Sequence, residues 1–113
     1  FDFLQDSKGG FDIVVVDPPA FATSRSAVEK ARVSYEKVFS EAARQVRPGG
    51  LLALSSCSRP VDFDIFYEIV IASLSKARRI GQLLSISGQP FDHPFPHICP
   101  ELRYLKFFLM RLD

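Results

Sequence analysis

The chain has 113 residues, 47% of them hydrophobic, so it is one domain or a piece of one with enough apolar side chains for a packed core. Its 14 basic and 13 acidic side chains give a net charge of +1, which excludes the strongly basic surface of a self-sufficient nucleic-acid binder. No apolar run approaches the length of a membrane span, and eleven phenylalanines without a tryptophan predict buried aromatic rings.

The two cysteines, Cys57 and Cys99, do not have the spacing of a metal site, and a disulfide between them stays open from the sequence. An α/β pattern suits a reducing compartment, so we expect a cytoplasmic protein without a metal ion. The chain begins at Phe1, in a stretch that reads like the end of a helix, and we therefore expect a truncated sequence.

The first strand is predicted at residues 11–17, a continuous β-branched apolar run of the kind found in parallel strands buried on both faces. It ends before Pro18-Pro19, because prolines cannot donate to a ladder. Apolar side chains recur every three or four residues over 26–47, which predicts a helix with the stripe Val28, Ala31, Tyr35, Val38, Ala42 and Val46. Residues 48–50 (Pro-Gly-Gly) are expected to end this helix, and residues 51–56 form a second buried strand.

A second helix is predicted from the capping residue Asp62 to the basic residues 76–79, with the apolar stripe Phe63, Phe66, Ile69, Val70 and Leu74. A third strand is predicted at 80–86 and a fourth at 104–111, after a proline-rich loop. The basic side chains at the end of the second helix are expected to complement its dipole rather than to bind phosphate; they are Lys76, Arg78 and Arg79.

The order of these elements predicts the topology of the sheet. Strands that alternate with helices form parallel crossover units, whereas the last strand follows a loop and is expected to be antiparallel to its predecessor. Ligands of such sheets bind beyond the carboxyl ends of the parallel strands. Because consecutive crossover strands usually lie side by side, we expect Asp17 and Cys57 to meet at one rim.

Residues 17–21 (Asp-Pro-Pro-Ala-Phe) join an acid to a rigid loop and an aromatic ring. Asp17 can accept hydrogen bonds from an amino group or a protonated ring nitrogen, and Phe21 offers a face against which a planar base can stack. The same segment is equally compatible with an ordinary turn at a strand end.

Cys57 follows the second strand within residues 55–58 (Ser-Ser-Cys-Ser). Taken alone, a strand-end cysteine is more often a small buried side chain than a nucleophile. Together with Asp17 it gains a chemical use, because carbon 5 of a pyrimidine accepts a methyl group only after a nucleophile has added to carbon 6. A Cys57 thiolate is such a nucleophile, and an acid beside the ring holds the base and offsets charge at its nitrogen.

The two segments resemble motifs of a family of S-adenosylmethionine-dependent large-subunit ribosomal RNA methyltransferases that modify carbon 5 of cytosine. Residues 17–21 match the Asp-Pro-Pro-x-Phe loop of motif IV, and residues 56–58 match the Ser-Cys-Ser of motif VI. Further matches follow in the family's order: Asp92-His93-Pro94, Pro100-Glu101 and Tyr104-Leu105-Lys106.

This resemblance implies an α/β, Rossmann-like methyltransferase sheet, of which residues 1–113 are the carboxy-terminal part, ending in an antiparallel strand. It implies catalytic roles for Cys57 and Asp17 and a ribosomal RNA substrate. It also implies substrate contacts from Pro18, Pro19, Phe21, Ser58 and His93, and cofactor contacts from Asp17 and Pro18. The family's glycine-rich cofactor loop and amino-terminal RNA-binding module have no match in the sequence, so we expect an incomplete S-adenosylmethionine site.

One departure from the family concerns proton removal. Related cytosine-5 enzymes have a second cysteine in motif IV, where this chain has Ala20, so Asp17 or a water molecule must help to remove the carbon-5 proton. A related branch with the same motif IV loop methylates guanine and lacks the motif VI cysteine, so the presence of Cys57 favours cytosine.

Two alternatives stay open. The chain is compatible with a nitrogen-directed methyltransferase for guanine or adenine, which needs no cysteine. It is also compatible with a non-catalytic fragment that forms a homodimer or self-associates through an unpaired edge strand.

His97 and Cys99 follow no pattern and are given no role. We expect the isolated chain to be inactive.

Overall fold

The computed structural model describes residues 8–88, 97 and 105–113. Its strands are β1 (Phe11–Val16), β2 (Val46–Ser56), β3 (Gly81–Ser87) and β4 (Lys106–Leu112), and its helices are α1 (Val28–Gln45) and α2 (Phe63–Ala77). A short 3₁₀ turn, Arg25–Ala27, leads into α1. Neither described helix has the length and apolar character needed to cross a membrane.

The sheet has the strand order β1-β2-β4-β3. β1 and β2 are parallel, in a register that runs from Ile13 opposite Leu51 to Val16 opposite Leu54. β4 is antiparallel to both of its neighbours, β2 and β3. The parallel pairing and the reversed last strand are therefore confirmed, whereas the insertion of β4 between β2 and β3 was not predicted. β1 and β3 are the outer strands of the described sheet, and self-association through an edge stays a prediction.

The core lies between the sheet and the two helices, which also pack against each other. Its largest side chains are aromatic, as the composition predicted, and four of them are at most 1% exposed: Tyr35, Phe39, Phe66 and Phe108. Their ring centroids follow one another at 5.4, 5.9 and 5.0 Å. This row of rings, which we call the aromatic row, connects α1 to β4 through α2.

Only one face of β1 is covered by the described elements. Val14 and Val16 pack against the core, but Ile13 is 60% exposed and Val15 is 65% exposed. The expected burial of β1 on both faces is wrong for the described residues, because both helices pack on the same side of the sheet as Val14 and Val16.

The junction between α1 and β2 differs from the prediction. α1 ends at Gln45, and Val46 is already extended, with φ −80° and ψ 129°. Residues 48–50, which were expected to end the helix, lie inside β2 instead. Gly50 is required there by close approach, because a Cβ at this position would lie 2.8 Å from the carbonyl oxygen of Asp12.

Arg79 supports this junction from the end of α2. Its Nη1 atom donates to the carbonyl oxygens of Ala43 and Val46, each at 2.8 Å, and its Nη2 atom donates to the carbonyl oxygen of Asp113 at 2.8 Å. The side chain is only 15% exposed. Arg79 was expected to complement the dipole of α2, but its guanidinium lies at the carboxyl end of α1, where the same helix-dipole attraction acts.

Replacing Arg79 by alanine removes the charged hydrogen bonds to Ala43 and Val46, so we expect the free energy of unfolding to fall by about 2–3 kcal/mol. Urea unfolding followed by circular dichroism measures this change. The control is Arg78→Gly, because Arg78 ends α2 with φ 56°, a conformation that glycine adopts without strain. Equal losses in the two variants would contradict the role given to the Arg79 contacts.

Candidate active site

The carboxyl ends of β1 and β2 lie side by side, because the parallel register places Val16 opposite Leu54. Asp17 follows β1 directly, and Cys57 follows β2. Between them, the Ser55 hydroxyl donates to Asp17 Oδ1 at 2.8 Å and lies 3.3 Å from the carbonyl oxygen of Val16. The Asp17 carboxylate is thus tied to the strand that carries Cys57 two residues later.

Cys57 is half-buried and has a free thiol. Cys99, the other cysteine of the sequence, lies outside the described residues. Its neighbours Ser56 and Ser58 are 0% and 1% exposed. Of the three residues that match Ser-Cys-Ser, only Cys57 therefore presents a side chain toward solvent.

A buried hydroxyl cluster, formed by Tyr35, Ser56 and Ser58, holds the backbone on both sides of Cys57. The Tyr35 hydroxyl lies 2.9 Å from Ser56 Oγ and 2.5 Å from Ser58 Oγ. The backbone N–H of Ser58 donates to Ser56 Oγ at 3.2 Å, and the N–H of Ala22 donates to Ser58 Oγ at 3.4 Å. The cluster therefore joins α1, the end of β2 and the loop that follows Asp17.

This arrangement corrects the substrate contact expected of Ser58. Its side chain is buried, and its hydroxyl is hydrogen-bonded to Tyr35, so it supports the loop rather than facing a ligand. Tyr35 itself was predicted only as one member of an apolar helical stripe. A tyrosine within such a stripe signals a buried hydroxyl that needs a partner, but the partner is set by tertiary structure.

The loop after β1 forms a hollow of about 400 Å³. Asp17, Pro19 and Phe21 line it, and the first two are exposed. The half-buried ring of Phe21 packs edge-on against Tyr35, with centroids 4.8 Å apart and planes at 71°. Pro18 also borders the hollow, although most of this residue is buried.

A larger cavity of about 960 Å³ lies beside the loop that follows Cys57. Three cationic side chains line it, the exposed Arg25 and Arg59 and the buried Lys106. The described lining contains one carboxylate, Asp62, whose Oδ1 caps α2 by accepting from the Ile65 N–H at 2.9 Å, as the sequence predicted. The cavity therefore has an excess of positive charge.

Lys106 is the one buried cation of this cavity, with 7% of the residue exposed. Its Nζ atom donates to the carbonyl oxygen of Ser58 at 2.7 Å. Burial lowers the pKa of Lys106 to about 8, while negative charge on Cys57 and on Asp62 opposes that shift. The sequence placed Lys106 in a strand and in a family motif but gave no reason to expect it at the site.

Five predicted site residues thus follow the adjacent ends of β1 and β2: Asp17, Pro18, Pro19, Phe21 and Cys57. The first four line the hollow, and Cys57 does not. His93 lies outside the described residues, and His97 is exposed. In the part of the chain that the structure describes, no three His, Cys, Asp or Glu side chains are grouped so as to hold a metal ion.

The chain is similar to curated ribosomal RNA methyltransferases, although no protein-family model matches it. It is 33% identical over 108 residues to ribosomal RNA large subunit methyltransferase I of Shewanella frigidimarina, covering 96% of this chain and 27% of that protein. It is 39% identical over 98 residues to the protein of the same name from Photobacterium profundum, covering 87% of this chain and 25% of that protein. The chain therefore spans about a quarter of the length of the curated relatives it matches.

Solved structures match the fold over nearly the whole chain. A proposed methyltransferase, SMU.776, in complex with SAH aligns with a TM-score of 0.77 at 20% identity, covering 97% of this chain and 29% of that one. A proposed SAM-dependent methyltransferase from Streptococcus mutans aligns with the same TM-score at 18% identity, covering 97% of this chain and 28% of that one. The chain thus has the α/β, Rossmann-like methyltransferase fold that the sequence predicted.

The hydroxyl cluster can be tested by replacing Tyr35 with phenylalanine, which leaves the ring in place but removes a partner from Ser56 and Ser58. We expect the free energy of unfolding to fall by about 1–2 kcal/mol, because two buried hydroxyls lose a hydrogen bond. We also expect faster amide hydrogen exchange in residues 56–58. The matched control is Tyr67→Phe, since Tyr67 is 40% exposed and changes there should stay within about 0.5 kcal/mol. Unchanged exchange at 56–58 in the Tyr35 variant would argue against the cluster as the support of this loop.

Proposed function

We propose that this chain carries the substrate-facing part of a methyltransferase that acts on carbon 5 of a cytosine in large-subunit ribosomal RNA. The observation that carries the proposal is that Asp17 and the half-buried Cys57 follow the adjacent ends of two paired parallel strands, with Asp17 hydrogen-bonded to Ser55 on the strand that leads to Cys57. Relatives named ribosomal RNA large subunit methyltransferase I support the choice of RNA. Such a substrate is consistent with a cytoplasmic enzyme.

In the proposed reaction, the Cys57 thiolate adds to carbon 6 and forms a sulfur–carbon bond, which makes carbon 5 an enamine-like nucleophile. The exposed Asp17 carboxylate holds the base by accepting hydrogen bonds from its amino group and from a protonated ring nitrogen. The proton on that nitrogen neutralises the negative charge that sulfur addition places on the ring. After carbon 5 has gained the methyl group, its proton leaves to a base and the sulfur–carbon bond breaks, which restores the aromatic ring. Ala20 stands where related enzymes have a second cysteine, so Asp17 or a water molecule takes that proton.

S-adenosylmethionine, when bound, supplies the methyl group. Asp17, Pro18 and the hollow beside them fit one part of such a site, because an exposed carboxylate there can accept hydrogen bonds from a ligand. The solved neighbour in complex with SAH supports the choice of cofactor. No glycine-rich loop after a strand occurs in the sequence, so the proposal includes that residues 1–113 are the carboxy-terminal part of one methyltransferase domain.

The charge of the larger cavity supports a nucleic-acid substrate. Several arginines elsewhere are used in ion pairs, as in Arg32 with Glu68 and Arg44 with Glu41. Arg25, in contrast, forms no ion pair with any described residue and lines the cavity with an exposed side chain. Arg59 takes part in another interaction, but it is exposed and lines the same cavity next to the Cys57 loop. Guanidinium groups bind phosphate oxygens through two parallel hydrogen bonds, so these arginines suit the backbone on either side of a bound cytosine.

The covalent mechanism is tested in the methyltransferase that contains this chain by Cys57→Ala, which we expect to lower 5-methylcytosine formation at least about a thousandfold. Ser55→Ala is the control, because it removes the hydrogen bond to Asp17 but keeps the nucleophile, so part of the activity should persist. Mass spectrometry of digested ribosomal RNA identifies the methylated atom. Undiminished 5-methylcytosine in the Cys57 variant would overturn the mechanism, and methyl groups on a ring or amino nitrogen would indicate the nitrogen-directed alternative.

Binding of RNA in the larger cavity is tested by Arg59→Ala. Fluorescence anisotropy of a short cytosine-containing RNA measures the dissociation constant. Loss of one phosphate contact should weaken binding by about 5–20-fold and reduce the salt dependence of the dissociation constant by about one counterion. Arg111→Ala is the matched control, because Arg111 is an exposed arginine on β4 that does not line the cavity. Equal effects of the two substitutions would show that the cavity does not hold the RNA.

A further inference from the structure

Lys106 is placed beside the nucleophile by the pairing of β2 with β4. It begins β4 and lies directly opposite Ser56, the residue before Cys57. Lysine side chains are seldom this buried unless they are paired, because removing an ammonium from water is costly. The hydrogen bond that Lys106 donates to the loop of Cys57 offsets part of this cost.

The contacts of Lys106 are with the loop that carries Cys57. Its Nζ atom donates to the carbonyl oxygen of Ser58 at 2.7 Å, so the ammonium is fixed against the backbone of the residue after the nucleophile. Ser56, which pairs with Lys106 across the two strands, and Ser58, which accepts its hydrogen bond, both contact the Tyr35 hydroxyl through their own hydroxyls. The ammonium consequently has little freedom to move away from Cys57.

We propose that Lys106 is a positioning residue for Cys57: its ammonium fixes the nucleophile loop through the Ser58 carbonyl and places a positive charge beside the thiolate. This inference rests on the proposed function, in which Cys57 attacks carbon 6. A nearby cation favours the thiolate over the thiol, and the thiolate is the reactive form.

The charges around Lys106 support this role. Negative charge on Cys57 and on Asp62 is felt at Lys106, as the pKa of the lysine shows. Asp62 is already engaged as the cap of α2, whereas Cys57 has a free thiol. Arg25 and Arg59 line the same cavity and add positive charge from the loops on its other sides. With a pKa of about 8, Lys106 is mostly protonated at neutral pH and loses its charge above pH 8.

A purely structural lysine would behave differently on substitution. Methionine has a similar length and fills the same apolar surroundings without the cost of burying a charge. If Lys106 serves packing alone, Lys106→Met should keep the fold and leave the reactivity of Cys57 unchanged. If it supports the thiolate, the fold should persist while the reactivity falls.

The experiment measures alkylation of Cys57 by iodoacetamide between pH 6.5 and 9.5 in this chain, with peptide mass spectrometry as the readout and Cys99 as the internal reference thiol. We expect Lys106→Met to slow alkylation of Cys57 by about three- to tenfold at pH 7, because the substitution removes the cation that favours the reactive form. The difference should shrink above pH 8, where the wild-type ammonium loses its proton. Lys106→Arg retains its charge over the whole range, so near pH 8.5 it should stay faster than the methionine variant, where wild type has lost much of its advantage. At pH 9.5 an ordinary cysteine is ionised with or without a nearby cation, so the three rates should converge there.

Thermal unfolding of the same variants checks the fold. Lys106 binds a proton more weakly in the folded chain than in the unfolded chain, so wild-type stability should rise from pH 8 toward pH 10.5 relative to Lys106→Met. Should the methionine variant fail to fold, the arginine variant is compared with wild type alone. Identical alkylation rates of these two proteins between pH 7.5 and 8.5, where wild type loses the ammonium charge and the arginine variant keeps it, would overturn the proposal. Superimposable profiles for wild type and a folded methionine variant would overturn it as well. Alkylation needs neither RNA nor a methyl donor, so this outcome is independent of whether carbon 5 is the atom methylated.

Discussion

β1 and β2 run parallel with Val16 opposite Leu54, and this register brings both strands to an end at the same level. Neither of the loops that follow has regular structure to fix its course. Their relative position is set by the strand pairing beneath them and by the Ser55 hydroxyl, which reaches Asp17 from 38 residues away in the sequence. This pairing places an acid and a thiol from distant segments of the chain at the same edge of the sheet.

The polar groups above the sheet strengthen that arrangement. Tyr35, Ser56 and Ser58 place three hydroxyls in a buried position, where each is costly unless it is hydrogen-bonded. Because they bond to one another, they specify one loop conformation instead of several of similar energy. Lys106 and Arg79 act by a related principle, since each directs a cationic group at backbone carbonyl oxygens that adjoin the end of a strand or helix.

Local sequence patterns were sufficient for the presence and order of the helices and strands and for the adjacent strand ends that Asp17 and Cys57 follow, because periodicity and crossover topology are local or nearly local properties. They misplaced the junction of α1 and β2, where residues 48–50 continue the strand. These patterns gave wrong or missing predictions where contacts between distant segments of the chain determine the structure. The place of β4 depends on which strand edge is free, and the exposed face of β1 depends on which elements cover it. The buried positions of Ser58 and Lys106 arise from contacts 23 and 48 residues away in sequence, which no short window contains. The predicted substrate contact of His93 lies outside the described residues and stays a prediction.

The aromatic row has a consequence for how substrate preference can change in such a protein. Phe21, beside the candidate base pocket, contacts Tyr35, and the row continues from there through Phe39 and Phe66 to the sheet. Closely packed rings leave no space to absorb a change of volume, so a larger or smaller side chain in the middle of the row displaces its neighbours. Variation that reshapes the pocket is therefore easier to accommodate in the exposed loop residues than in the core. The tight packing of the core thus limits how far substitutions in the interior can change the substrate specificity of the domain.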